Sequence, residues 1–324
     1  MNTFGQNFRL TIWGESHGAE VGVVVDGVPA GVALTAADFE ADLARRRSGA
    51  AGTTARCEQD LPCLCSGVYN DHTTGAPLAI TFVNADTRAA DYAATADHCR
   101  PSHADRVAHC KADGWNDPRG GGHFSGRLTV GLVAAGVVAK KCLDPAVTFS
   151  TQLLEVGGEC DAARFDEVIA EAQRAGDSVG GIVECRVTGV CVGVGEPLFD
   201  SVESLMSHLL FSIPAVKGVE FGAGFGAARV RGSQNNDRII DGAGHTATNH
   251  DGGINGGMAN GNEIVVRVAV KPTPSIACEQ MTYNFANQRV EPLSLRGRHD
   301  TCIALRAAVV VEAAVAIALA DLTL

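Results

Sequence analysis

Apolar and small residues alternate through VGVVVDGVP, residues 21–29, and this period of two predicts a strand that ends in a turn. Thr35 then stands as the cap of AADFEADLARRR, where Phe39 and Leu43 recur four residues apart, so a helix is expected to end at Ser48-Gly49. LAITFVN, residues 78–84, predicts another strand. From Asp86 to Gly122 polar residues, His, Pro and Gly dominate, which predicts a long functional loop. Ser125 is placed to cap a helix running to Leu143, where Asp144-Pro145 stops it and Lys140-Lys141 suit its negative end. Its Gly and Ala content predicts close packing inside the protein. Residues 181–195 and 263–270 alternate like strands on either side of a Gly- and Asn-rich region, residues 218–262. The last helix, residues 303–322, is apolar nearly all round, but Arg306, Glu312 and Asp321 leave runs too short for a bilayer, so it is expected in the core. Helices and β-rich runs interleave without a regular βαβ period, which favours an α+β fold. No repeat, linker or low-complexity segment divides the chain, so residues 1–324 are expected to form a single domain.

Composition adds boundaries to this picture. With 324 residues, 46% of them hydrophobic and 19% charged, the chain has enough apolar material for a large core. A net charge of -11 argues against nucleic acid as a partner, because phosphate backbones are gripped by positive surface. The N-terminal segment has no charged-then-apolar signal pattern and meets Glu15 too early for a membrane span, so no membrane partner and a cytoplasmic location are expected. Eleven cysteines, an odd number with no CxxC pair, read as reduced, small, buried hydrophobes.

Four groups are richer in reactive side chains than a core requires: GESHG at 14–18, RRR at 45–47, RPSHAD at 100–105 and GRHD at 297–300. Each also has a purely structural reading; Ser16-His17 suits a turn, and Arg45 to Arg47 suit a helix C-terminus. HCRPSHADRVAHC holds His98, Cys99, His103, His109 and Cys110, all zinc-ligand types, but Pro101 interrupts helical pairing and no second paired motif follows, so no metal is expected. In GGGHFSGRLT, residues 120–129, glycines run into a helix start, where free N–H groups favour an anionic cofactor. A nucleotide-hydrolysing loop would carry Gly-Lys-Ser/Thr there, and His123-Phe124-Ser125 stands instead. TNHDGGINGGMANG, residues 248–261, allows close backbone approach to a ligand, and Lys271 with Thr273 and Ser275 suits either a phosphate or a proline-rich strand exit.

Taken in order, GESHG, DGVPAG, RRRSG, SGVYNDHTTGAP, RPSHAD, PRGGG, KGVEFGAGF, GSQNND, TNHDGGINGG, KPTPSI and GRHD resemble the chorismate synthase family, from about Phe4 to Asp321. The resemblance implies a shikimate-pathway lyase that makes chorismate from 5-enolpyruvylshikimate 3-phosphate by anti-1,4-elimination of phosphate. It also implies dependence on reduced FMN (FMNH2) without net redox change, a β-α-β sandwich of two antiparallel sheets enclosing helices, and a homotetramer. Arg46, Arg100 and Arg127 would bind the anionic small-molecule substrate. His17 would protonate the leaving phosphate, His103 would act near the flavin, and Asp300 would assist proton removal, with Ser16 and Ser125 supporting the relay. His123, Phe124, Ser125, Pro214, Ala215, Gly256, Lys271, Pro272, Thr273, Pro274, Ser275 and Arg298 fall at FMN-binding positions. No nicotinamide-binding motif stands out, so an external flavin reductase or another source of reduced FMN is expected.

The family's usual flavin segment reads GGGRSSARET, so this chain substitutes His123, Phe124, Gly126 and Leu128 and keeps Ser125, Arg127 and Thr129. Pro214 replaces a usual Asn, and Ala50, Ala51 and Gly52 follow RRRSG where another Arg is common. Each lost polar contact costs on the order of 1 kcal/mol, which stacking of Phe124 on the flavin ring would partly offset. The alternative to an active enzyme is a flavin- or anion-binding relative with weak or no activity. Retention of His17, His103 and Asp300 favours the enzyme.

Overall fold

The alternating residues pair with one another. In the computed structural model, which describes residues 1–87, 97–295, 297 and 299–324, Val21, Val23 and Val25 lie opposite Phe82, Ile80 and Leu78, and all six are buried. The strands in chain order are β1 (Thr3–Phe4), β2 (Arg9–Gly14), β3 (Glu20–Asp26), β4 (Cys63–Ser66), β5 (Val68–Tyr69), β6 (His72–Thr73), β7 (Leu78–Val83), β8 (Thr148–Val156), β9 (Gly181–Thr188), β10 (Val216–Phe221), β11 (Ile254–Asn255), β12 (Met258–Ala259), β13 (Ile264–Val270), β14 (Gln280–Asn284) and β15 (Arg289–Leu293). The helices are α1 (Glu40–Arg46), α2 (Asp105–Lys111), α3 (Thr129–Cys142), α4 (Phe165–Arg174), α5 (Val202–Ser212), α6 (Gly232–Asn235) and α7 (Ala304–Thr323).

Two sheets dominate, one ordered β1-β2-β3-β7-β4 and the other β10-β13-β9-β8, with every neighbouring pair antiparallel. In the second sheet Val183, Cys185 and Val187 stand opposite Val268, Val266 and Ile264, and this row is again fully buried. Helix α3 packs on β2, β3 and β7, α7 packs on β8 and β9, and α3 packs on α7. The layers therefore run sheet, helix, helix, sheet: an α+β sandwich with α3 and α7 inside. Small residues make the inner contact possible, since a Cβ at Gly136 of α3 would lie 2.4 Å from the Cβ of Ala313 of α7. No described helix is long and apolar enough to cross a membrane.

The helix starts follow local hydrogen bonding. Asp38 accepts from the Thr35 N–H at 2.6 Å and from its hydroxyl at 3.0 Å, opening a 3-10 turn that continues into α1. Ser125 caps a 3-10 turn at Gly126–Leu128, its hydroxyl accepting from the Arg127 N–H at 3.2 Å, and α3 follows. Asp321, expected only to interrupt the last helix, accepts from the N–H groups of Gln6, Asn7 and Phe8 at 2.7–2.8 Å and so ties the N-terminal turn to α7.

Two expectations are corrected. Residues 86–122 are not one loop, because they contain α2; only Ala108 of that helix is buried, so it carries no amphipathic period to read. Residues 88–96 of this stretch lie outside the described residues. No disulfide joins the cysteines, but Cys57, Cys63, Cys65, Cys110, Cys160 and Cys191 are exposed. They lie on the edge strand β4, on α2 or in connecting segments, while Cys99, Cys185 and Cys302 match the expected burial.

Glu312 is buried in the middle of α7, where it accepts from Arg45 at 2.7 and 2.9 Å, from Thr151 at 2.8 Å and from Lys140. Burial acts to raise its carboxyl, but Arg45 and Lys140 outweigh that and hold it at about 2. A carboxyl lowered by folding stabilises fully above its unfolded value, near 4.5, and that contribution is lost as pH falls toward 2. Thermal midpoints are expected to drop across that window, and less steeply in Glu312→Gln, which starts less stable at neutral pH. An unchanged acid slope in the variant would remove Glu312 as a source.

Candidate active site

The loop after β2, the segment after α1, the glycine run before α3 and the exit of β13 converge on a cleft of about 640 Å3. Gly120, Gly121 and Gly122 have φ of 60°, 83° and 54°, a backbone region that favours glycine. Space demands glycine as well. A Cβ at Gly120 would lie 2.1 Å from His17 Nδ1, and one at Gly121 would lie 3.1 Å from His103 Cε1. Ser16 N–H donates to the Gly122 carbonyl at 3.1 Å, joining the GESHG loop to this run. The three motifs carrying Ser16, His17, His103 and the glycines therefore meet. Gly120→Ala is expected to displace His17, and the acid role that the family resemblance implies for His17 predicts turnover lower by roughly tenfold, since a positioned acid is sensitive to shifts on the ångström scale. Steady-state kinetics with a thermal melt tests this, and unchanged turnover would separate His17 from the reaction.

His103 lines the cleft, with its Nδ1 2.6 Å from Asp105 Oδ1. A carboxylate can only accept, so Nδ1–H donates to it, and that bond orients the ring and leaves Nε2 for a ligand. Arg100 donates to the same carboxylate from Nε and Nη2, both at 2.7 Å. Burial acts to raise the Asp105 carboxyl, but hydrogen bonds from Arg100 and His103 outweigh it and hold the group well below the usual range.

Arg46 and Arg127 are buried on either side of the buried Asp60. Arg46 donates to Asp60 at 3.0 Å, to Thr129 Oγ1 at 3.1 Å and to the carbonyls of Gly126 and Arg127. Arg127 donates to the other Asp60 oxygen and to Asn84 Oδ1 at 2.8 Å. Ser16 Oγ accepts from Arg56 at 2.8 Å, and Glu58 accepts from Arg56 at 2.7 Å. Asp300 accepts from the Thr54 N–H at 3.0 Å and from Arg306 at 3.1 Å.

Phe124, Ser125, Pro214, Ala215, Lys271, Thr273, Pro274 and Ser275 also border the cleft. His123 borders it too, but its ring is anchored: Nδ1–H donates to the Gly14 carbonyl at 2.8 Å, and Nε2 lies 3.1 Å from Asn2 Oδ1. Three of the expected residues that the structure describes are not part of the wall. His17 is buried against Gly120, which is. Gly256 forms the turn between β11 and β12, and Pro272 packs over Gly180, while Arg298 lies outside the described residues.

Among the described residues, eight cationic side chains and three acidic ones border the cleft, in a chain whose net charge is -11. That local reversal suits a polyanionic ligand. The Thr273 hydroxyl is buried on the wall with no hydrogen-bond partner among the described residues, and Phe124 is 44% exposed at the same cleft. A buried hydroxyl beside Lys271 and Ser275, together with an accessible aromatic face, fits a ligand with a phosphate tail and a flat ring. Among the described residues no group of three His, Cys, Asp or Glu side chains could hold a metal ion. Sequence reading missed Arg56, Asp60 and Arg306 as site residues and gave Asp105 no role. Arg56 and Asp60 lie in a stretch without periodicity, whereas Asp105 was visible within RPSHAD.

A sequence model described as chorismate synthase matches residues 8–324. The chain is 58% identical over 324 residues to a chorismate synthase of Chitinophaga pinensis, covering 100% of this chain and 97% of that one. It is 44% identical to one of Dehalococcoides mccartyi in a 351-residue alignment covering 100% of this chain and 96% of the relative. A crystal structure of chorismate synthase matches with a TM-score of 0.72 and 27% identity, over 98% of this chain and 92% of that chain.

Proposed function

Since the chain belongs to the chorismate synthase family and is a lyase, we propose that it converts 5-enolpyruvylshikimate 3-phosphate to chorismate and phosphate by anti-1,4-elimination with reduced FMN. The observation that carries this reading is the cationic cleft with His103 held on its wall by Asp105. The substrate presents two carboxylates and a phosphate. Arg46, Arg100 and Arg127 bind and orient these groups, and Asp60 and Asp105 keep the guanidiniums in place before the ligand arrives. Reduced FMN, when bound, supplies the electron density that loss of phosphate demands without net oxidation.

Phe124, Ser125, Pro214, Ala215, Lys271, Thr273, Pro274 and Ser275 would hold that cofactor, with the Thr273 hydroxyl offering it a buried hydrogen bond. Gly256, Pro272 and Arg298 retain this assignment only through the family pattern. His103, with Nδ1–H committed to Asp105, handles a proton at Nε2. His17 protonates the departing phosphate. Asp300 assists removal of the substrate proton, and Ser16 and Ser125 support the transfer by hydrogen bonds.

We further propose a single-domain subunit in a cytoplasmic homotetramer, supplied with reduced FMN by a separate reductase. Chorismate formation under anaerobic conditions, with and without chemically reduced FMN, tests the reaction. Flavin-dependent product is expected. No product from folded, flavin-saturated protein would replace this reading with that of a binding relative.

A further inference from the structure

Strand β10 is an edge of the second sheet, and its pairing with β13 is irregular. Val216 stands opposite Val270 and Gly218 opposite Ala269, so Lys217 is an extra residue with no residue of β13 opposite it. A bulge of this kind re-aims its side chain and breaks the alternation of faces. Here Lys217 borders the cleft.

Each of the other cations of the cleft already has a partner within the protein. Asp60 engages Arg46 and Arg127, Glu40 engages Arg47, Glu58 engages Arg56, Asp105 engages Arg100 and Asp300 engages Arg306. The Lys271 ammonium donates to the Ser102 carbonyl at 2.6 Å. Lys217 makes no hydrogen bond or ion pair with any described residue, so its charge and three donors are available to a ligand. An ammonium on a flexible stem is a compact point charge, suited to a terminal dianion.

We propose that Lys217 binds the phosphate monoester of a ligand in this cleft. The assignment rests on the reading above, in which cofactor and substrate each carry one such group.

The test compares wild type, K217M and K217R by calorimetry against two ligand pairs: FMN with riboflavin, and 5-enolpyruvylshikimate 3-phosphate with its dephosphorylated form. K217M is expected to bind a phosphorylated ligand about tenfold to a hundredfold more weakly, with its unphosphorylated partner unchanged and K217R close to wild type. The pair that shows the loss identifies which phosphate Lys217 holds. Equal loss for both members of a pair, or no loss in either pair, would overturn the proposal. Wild type that binds a phosphorylated ligand with this Lys217 dependence yet forms no chorismate would overturn the proposed reaction and leave the Lys217 assignment standing.

Discussion

His103→Ala is expected to lower turnover by about 10²- to 10⁴-fold, the range for loss of a positioned acid or base, while the thermal midpoint stays close to wild type. The structure separates the two readouts. Removing the imidazole takes one partner from Asp105, but Arg100 continues to hold that carboxylate through Nε and Nη2. The Arg100 guanidinium also keeps its bond to Ser275 Oγ at 3.1 Å, so the wall between α2 and the exit of β13 stays joined. Single-turnover formation of chorismate with reduced flavin in excess reads the chemistry, and a melt reads the fold. Turnover within twofold of wild type would remove His103 from proton transfer.

Asp60→Asn is expected to act on stability first. Asp60 is 3% exposed between two buried guanidiniums, and the substitution keeps its shape while removing the charge both require. Burial acts to raise this carboxyl, but Arg46 and Arg127 outweigh it and hold it below the usual range, so it is ionised at neutral pH. Breaking a buried pair from one side costs about 3–5 kcal/mol, because the remaining charge is uncompensated. For a chain of this size that corresponds to a midpoint lower by about 4–7 °C. Loss of activity should accompany it, as Arg46 and Arg127 border the cleft. A midpoint within 2 °C of wild type would show that these arginines find other partners.

Much of the sandwich was legible along the chain because its inner layers carry strong local signals. Helix α7 is apolar on every side, Ser125 marks the approach to α3, and the valines of β3 alternate. The insertion of β7 between β3 and β4 was not legible, since strand order depends on contacts distant in sequence. The site divides in the same way. His103 and Arg100 sit in a recognisable motif, and the cleft assembles around them. Asp60 does not: it lies among unpatterned residues with φ of 50°, and only the folded chain brings it between Arg46 and Arg127. The glycines at 120–122 were legible as a ligand cradle, but their close approach to two histidines needed coordinates.

The cleft draws its wall from segments that belong to different layers: Ser16 follows β2, Arg127 precedes α3, Lys271 leaves β13 and Arg306 lies on α7. No short contiguous fragment of the chain contains all of these groups. A nicked or half-folded molecule, even one that keeps either sheet, would have the reactive side chains without the enclosure, and so would be silent instead of promiscuous.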